Sequence, residues 1–322
     1  MGKAWLIHNP AAGRFPSGPF LGRAVGVLAR AGWDLEVVES SPAQDLSLLA
    51  GEAVQAGCEA VFVAGGDGSV GRVAGALVGS STALGVLPSG TANVWAQEMG
   101  LPLLSWTNWF ALEEAAARLA EGDVRLVDVG ECNRRPFLMW AGIGLDAHII
   151  NSIEPRERWE KTLATVHYAL LGIWSARSWE GIDLRVCAGD RVWEDRYLVA
   201  VASNIRSYAG GLLALTPGAL VDDGLLDFWL IGGRSLADAV VRVVQVLMGR
   251  HVDSPGVTHV QASEVVFESA ADLPMHLDGE PCILHSPARF TVLKQALRVL
   301  VPRQGKISLF SKPDDSLFSE KK

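Results

Sequence analysis

Three glycine-rich turns and one pair of carboxylates are the residues of this chain best suited to chemistry. The turns are Asn9–Arg14, Gly65–Val70 and Pro88-Ser89-Gly90-Thr91-Ala92-Asn93, and each follows a short apolar run. Glycine lets a backbone approach a phosphate, and the free N–H groups at a helix start favour its negative charge. If the apolar runs are neighbouring parallel strands, all three turns lie at one carboxyl edge, where open α/β sheets bind ligands. One such turn is more often only a turn; three on one edge predict a polyphosphate site. Asp67, in the middle of the second turn, would repel bare phosphate, which makes sense if Mg²⁺ sits between them. Gly66-Asp67-Gly68-Ser69-Val70-Gly71 also matches the dinucleotide fingerprint Gly-x-Gly-x-x-Gly. No acid lies between Asp67 and Glu98 to hold a ribose, however, so hydride transfer is rejected. The Gly-x-x-x-x-Gly-Lys-Ser/Thr pattern of a P-loop is missing as well.

The carboxylate pair is Asp278 and Glu280. Phosphoryl transfer needs neutralised charge, in-line positioning and a group to take the hydroxyl proton. In an extended segment residues i and i+2 share a face, and two close carboxylates raise one pKa, which suits a general base. The competing reading is a hairpin turn at Asp278-Gly279. Asp222-Asp223-Gly224 carries the same alternative, a turn between strands. Asp146 lies near the cleft or caps a helix, Asn204 satisfies a turn, and His276 is a base or, more commonly for a lone histidine in a strand, structural. His8, His148 and His167 receive no role.

The elements that must position these groups alternate in the first third. Strand signals at Ala4–His8, Trp33–Val38, Ala60–Ala64 and Ala83–Leu87 interleave with helix signals at Phe20–Ala31, Ala43–Ala56 (behind Pro42) and Val70–Val78. That order predicts a parallel sheet with helices on both faces, and Thr107–Glu121 adds a further helix. After about Val127 the runs shorten to Pro136–Ala141, Ile182–Ala188, Tyr197–Ala202, Leu225–Ile231, Glu264–Phe267 and Arg289–Leu293, the spacing of an antiparallel β domain. Helical segments at Trp159–Arg177 and Ser235–Met248 interrupt it. The expected division is an α/β domain over 1–127, rejoined near 298–310, a β-rich domain over 128–297, and a mobile tail over 311–322.

Composition bounds the partners. The chain has 322 residues, 49% of them hydrophobic, enough for about two domains. A net charge of −8 opposes nucleic-acid binding. Cys58, Cys132, Cys187 and Cys282 show no metal-ligand spacing and read as reduced, buried thiols of a cytosolic protein. The N-terminal apolar run is too short for a signal peptide, and no uninterrupted run of membrane-spanning length is seen. The expected location is cytoplasmic.

These motifs resemble the nucleotide site of the diacylglycerol kinase-like bacterial lipid kinases. The resemblance runs from Asn9-Pro10-Ala11-Ala12-Gly13 through Gly65-Gly66-Asp67-Gly68-Ser69 and Gly90-Thr91-Ala92-Asn93 to Ala141–Asp146 and Gly210-Gly211. It continues over Pro217–Asp227 and Leu277–Pro281 and closes at Leu297–Pro302. Gly-Gly-Asp-Gly also occurs in NAD kinases and phosphofructokinases, which share the nucleotide domain; the Asp-Asp-Gly and Asp-Gly-Glu motifs are more specific. The resemblance implies ATP-dependent phosphorylation of a lipid hydroxyl, with ATP held between the two domains. It assigns ATP contacts to Asn9, Pro10, Ala11, Ala12, Gly13, Ser40, Gly65, Gly66, Asp67, Gly68, Ser69, Val70, Gly90 and Thr91. Beside the Mg²⁺ expected at Asp67, it implies a structural Mg²⁺ site at Asp223 with the carbonyls of Leu220 and Leu225, and proton acceptance at Glu280 with Asp278 beside it. Gly71-Arg72 stand where the family usually has Asn-Glu, and Val94 where it often has Asp, which leaves the metal arrangement open. Two alternatives stand beside a lipid kinase: an NAD kinase-like small-molecule kinase, and a non-catalytic nucleotide or lipid sensor.

A lipid substrate implies contact with a membrane surface, at the inner face for a cytoplasmic protein. Trp159, Leu163, Val166, Leu170, Ile173 and Trp174 form one apolar helical face flanked by Arg156, Arg158, Lys161 and Arg177. Such a helix lies in a membrane interface or packs on the β domain, and both hold if it lines a groove for acyl chains. The oligomeric state stays open, a dimer included.

Overall fold

The computed structural model of the chain describes residues 2–13, 17–41, 44–148, 179, 181–303 and 309–311. The segment at 159–177 and the tail at 312–322 lie outside the described residues. The chain divides into two compact units. Unit 1 is Met1–Val129, Leu220–Asp223 and Lys294–Lys322; unit 2 is Gly130–Ala219 and Gly224–Leu293.

Unit 1 is built on parallel strands β1 (Lys3–His8), β2 (Asp34–Glu39), β3 (Ala60–Gly65) and β4 (Ala83–Pro88) in the order β2-β1-β3-β4. Every residue of β3 and β4 is buried, as strands covered on both faces require. Strand β2 forms an edge and leaves the acids Asp34, Glu36 and Glu39 exposed, which discourages pairing with another chain. Helices α1 (Gly18–Arg30), α2 (Leu46–Gln55), α3 (Asp67–Leu77), α4 (Val94–Glu98) and α5 (Ala111–Ala120) connect and cover the sheet. Two helix starts differ from the expected ones. Helix α2 begins after Asp45, whose carboxylate caps the Ser47 N–H at 3.0 Å, rather than behind Pro42. Helix α3 begins at Asp67 with Gly66 as its cap, so most of the second glycine-rich turn is helical.

Unit 2 is antiparallel. Strand β5 (Asp123–Cys132) enters it from unit 1 at Gly130, and its end forms a hairpin with β6 (Arg135–Phe137). The expected strand over Pro136–Ala141 is broken at Leu138-Met139, and β7 starts at Trp140 and ends at Gly144. The long β9 (Arg191–Ser203) pairs β7 and β8 (Ile182–Ala188), and later β12 (Leu226–Gly232). A two-stranded ribbon, β10 (Ser207–Tyr208) and β11 (Leu213–Ala214), precedes β12. Helix α6 (Leu236–Leu247) and strand β13 (Val257–Ala262) follow; then come β14 (Glu264–Glu268), β15 (Leu273–Leu277), β16 (Glu280–Leu284) and β17 (Ala288–Val301). Phe228, Phe267 and Phe290 pack at centroid distances of 4.9–6.1 Å at the centre of this unit's core. The run at Arg289–Leu293 is the first part of β17, which pairs β14 there and parallels β4 at Arg298 and Val299.

The four cysteines are free, with Cys58 and Cys132 buried and Cys187 and Cys282 only half-buried. Burial pushes the Cys132 thiol up to about 12, so it is an inert, neutral core group.

Candidate active site

In unit 1 the three glycine-rich turns meet. The Asn9 amide donates to the Ser69 hydroxyl at 2.9 Å, and its Oδ1 accepts the Ala11 N–H at 3.1 Å, which joins the first turn to the second. Gly13 has φ +76°, and a side chain there would collide with the Ser89 carbonyl at 2.0 Å, so the first turn lies on the third. A Cβ on Gly90 would fall 2.2 Å from the Gly66 Cα, so the third turn lies on the second. Only glycine permits backbones to approach this closely. Asn93 fixes the third turn: it adopts φ 54°, accepts the Gly90 N–H at 2.8 Å and donates to the Gly90 carbonyl at 2.9 Å.

The other predicted contacts of this unit fall around the same place. Gly65 packs under Ser69, and Gly68 lies in the first turn of α3. That turn's N–H groups have no intrahelical acceptor and form a natural anion site. Val70 is different: its N–H donates to the Gly66 carbonyl at 3.0 Å and its side chain is core. Thr91 is exposed at the loop tip, and Ala12 is buried beneath the first turn. Ser40 directs its hydroxyl to the His8 carbonyl at 3.2 Å, next to where β1 gives way to Asn9. Ser89 is 1% exposed and its hydroxyl has no partner among the described residues, an orphaned polar atom beside the glycine cradle. Glycine walls, helix-start amides and this hydroxyl fit a polyphosphate.

The Asp67 carboxylate accepts the Trp95 N–H in the first turn of α4 at 3.4 Å. Val94 is fully buried at that helix start, and Arg72 lies on the exposed face of α3. Among the described residues no three His, Cys, Asp or Glu side chains cluster as a metal cage. Leu220 and Asp223 belong to unit 1 and Leu225 to unit 2.

In unit 2 the carboxylate motif forms a turn. Asp278 and Gly279 both have positive φ, 49° and 85°, between β15 and β16, and Leu277 pairs Glu280. This is the two-residue primed turn that Asp-Gly favours, so the segment is not extended and the shared-face argument does not apply. Asp278 is 5% exposed, and its carboxylate accepts the N–H groups of Leu138, Met139 and Trp140 at 2.7, 2.8 and 3.0 Å. Burial pushes its pKa up to about 6, against the downward pull of those three donors. Asn204 holds the same strand break from the other side, donating to the carbonyls of Leu138 and Met139. Glu280 stands at the start of β16, half-buried.

Two features escape a reading of the sequence. Asp128 is a fully buried carboxylate that accepts the Gln295 N–H at 2.7 Å; its signal was a lone acid within the apolar run Val127-Asp128-Val129. His276 is a buried partner of Asp146 at 3.1 Å, a pairing across 130 positions that local spacing does not encode.

The catalytic domain of diacylglycerol kinases matches residues 3–132, and a YegS C-terminal, NAD kinase β-sandwich-like domain matches residues 140–301. A Chromohalobacter salexigens protein named "Probable lipid kinase YegS-like" is 33% identical over 94% of both chains. This chain belongs to the diacylglycerol kinase-like family of lipid kinases. A diacylglycerol kinase of Mycobacterium tuberculosis is 30% identical over 95% of this chain and 97% of its own. The crystal structure of a diacylglycerol kinase from Bacillus anthracis shares the fold, with a TM-score of 0.69, 22% identity and coverage of 93% of this chain and 96% of that one. The protein is therefore a lipid kinase, a phosphotransferase with a hydroxyl group as acceptor. No helix among the described residues is long and apolar enough to cross a membrane.

Proposed function

We propose that this kinase transfers the γ-phosphoryl group of Mg·ATP to the hydroxyl of a lipid such as diacylglycerol. The observation that carries the reading is the knitting of three glycine-rich turns into one cradle at the carboxyl edge of the parallel sheet. The cradle accepts phosphate where any Cβ would obstruct it, and the first-turn amides of α3 stabilise its charge. Asn9 to Gly13, Gly65 to Ser69, and Gly90 with Thr91 hold the polyphosphate. Asp67 would hold a Mg²⁺ that supplies charge neutralisation at the transferring group, and Asp223 with the carbonyls of Leu220 and Leu225 would hold a structural Mg²⁺. Glu280 accepts the proton of the attacking hydroxyl. Asp278, its oxygens committed to three backbone donors, shapes the turn that presents Glu280. A lipid acceptor brings the protein to a membrane surface as a peripheral partner.

The test is transfer of radiolabel from γ-labelled ATP to vesicles containing diacylglycerol, run beside NAD as acceptor. Labelled phospholipid is the expected product. Label on NAD would replace the lipid by a nucleotide acceptor, and ATP binding without transfer to any acceptor would make the protein a sensor.

A further inference from the structure

His276 is 1% exposed, and both of its ring nitrogens are engaged. The Gly279 N–H points at Nδ1 at 3.3 Å, and an amide can only donate, so Nδ1 carries no proton. Nε2 must then hold the hydrogen and donate it to Asp146 Oδ2 at 3.1 Å. The Tyr208 hydroxyl donates to the same oxygen, and the other Asp146 oxygen accepts the Ala147 N–H at 2.7 Å. The result is a directed chain: Tyr208 to Asp146, His276 to Asp146, Gly279 to His276. It lies on the bare Cα of Gly142, where a Cβ would fall 2.0 Å from the Asp146 oxygen and 2.3 Å from Nε2. Trp140 closes the far side, its ring edge-on to Tyr208 at 5.6 Å.

The chain ends on the backbone of the residue directly before Glu280. Asp278 braces one half of the turn through the 138–140 amides, and His276 braces the other half through Gly279. We infer that Asp146, His276 and Tyr208 are positioning residues that fix the Asp278-Gly279 turn and thereby the aim of the Glu280 carboxylate. The inference rests on the reading of Glu280 as the proton acceptor. A carboxylate misplaced by about 1 Å costs up to ~100-fold in turnover while leaving remote nucleotide contacts untouched.

The two amide substitutions of His276 separate the two bonds. His276→Asn puts an amide oxygen near the Nδ1 position and keeps an acceptor for Gly279. His276→Gln puts an amide near Nε2, keeps Asp146 satisfied and abandons Gly279. The expected result is a kcat loss of about 10- to 100-fold in His276→Gln with KM for ATP unchanged, and substantial recovery in His276→Asn. In a Glu280→Gln background the same changes should produce no further loss, because the side chain being aimed is gone. Normal kcat in a folded His276→Gln, or an equal fold-loss in both backgrounds, overturns the assignment. Should both His276 variants fail to fold, Tyr208→Phe keeps the ring and removes one donor. A several-fold fall in its kcat at constant KM then supports the chain of bonds, and an unchanged kcat overturns it. Nitrogen NMR of the imidazole provides a readout independent of activity. A proton on Nε2 and none on Nδ1 is expected, and protonation at Nδ1 overturns the network. Full activity in Glu280→Gln with the Nε2 tautomer intact would instead remove the proton-acceptor reading and leave the network standing.

Discussion

At the scale of single residues, Asp278 and Glu280 stand two positions apart and do different work. Asp278 spends its carboxylate on three backbone donors, and the proposed proton acceptor is Glu280. Glu280→Gln should keep the fold and nucleotide affinity and lose about 10²- to 10⁴-fold in kcat, the usual contribution of a general base. Steady-state kinetics with ATP titration would show it, and near-normal turnover would remove the assignment. Asp278 is a stability group. Asp278→Asn retains a residue tolerant of positive φ but turns an NH₂ toward an N–H, with an expected cost of ~1–3 kcal/mol. Asp278→Ala strands all three amides and should cost ~3–5 kcal/mol in denaturant unfolding. The pH dependence has a definite sign. Burial raises the folded pKa from 3.8 to about 6, so between those values the folded state binds more protons than the unfolded one. Stability from this group is present below pH 4, falls as pH rises towards 6 and is flat above. The rise from 3.8 to about 6 corresponds to about 3 kcal/mol. The wild-type protein should show that decline relative to Asp278→Asn; parallel stability curves from pH 4 to 7 would contradict it.

At the scale of elements, the cradle depends on turns that touch through bare Cα atoms. Gly90→Ala forces a methyl against the Gly66 Cα and the Asn93 amide, so the loop must move. The expected outcome is at least a tenfold loss in ATP affinity by calorimetry with a smaller change in melting temperature. Asn93→Gly keeps the left-handed backbone and loses the two bonds to Gly90, whereas Asn93→Ala also strains φ 54°. The alanine variant should be the less stable of the two by about 1 kcal/mol. Equal stabilities would show that the hydrogen bonds alone hold the turn. The strands before these turns were legible because buried parallel strands are unbroken apolar runs, and their common edge followed from the alternation of strand and helix. The start of α3 was not legible. Gly66 has no capping side chain, so nothing in the sequence marks Asp67 as helical rather than loop. The Asp278 turn was open between two readings, because Asp-Gly suits both a hairpin corner and an acidic site. Only the amides of Leu138, Met139 and Trp140, 138–140 positions away, decide between them.

At the scale of the whole molecule, the units are woven from a chain that leaves unit 1 after Val129, returns for Leu220–Asp223, and returns finally at Lys294. The short return at 220–223 was invisible in the sequence because a four-residue segment has no periodicity to read. The final return matters for stability. Arg298 and Val299 extend the parallel sheet beyond β4, the Gly79 N–H donates to the Ala296 carbonyl at 2.7 Å, and Asp128 accepts from Gln295. Leu297, Val299, Leu300, Leu309 and Phe310 are all buried. At about 1.5–3 kcal/mol for each buried side chain, these five contribute roughly 7–15 kcal/mol. That matches the entire stability of a typical domain, ~5–15 kcal/mol. A fragment of residues 1–129 therefore lacks the surface that makes unit 1 stable. It should show no cooperative thermal transition by circular dichroism and should bind a hydrophobic dye. Joining residue 129 to residue 294 through a flexible linker supplies the missing strand within the same chain. The joined chain should regain a cooperative transition, because it restores the β4 pairing and most of the lost burial. A cooperative melt from residues 1–129 alone would mean that the first four strands and their helices close a sufficient core without the returning strand.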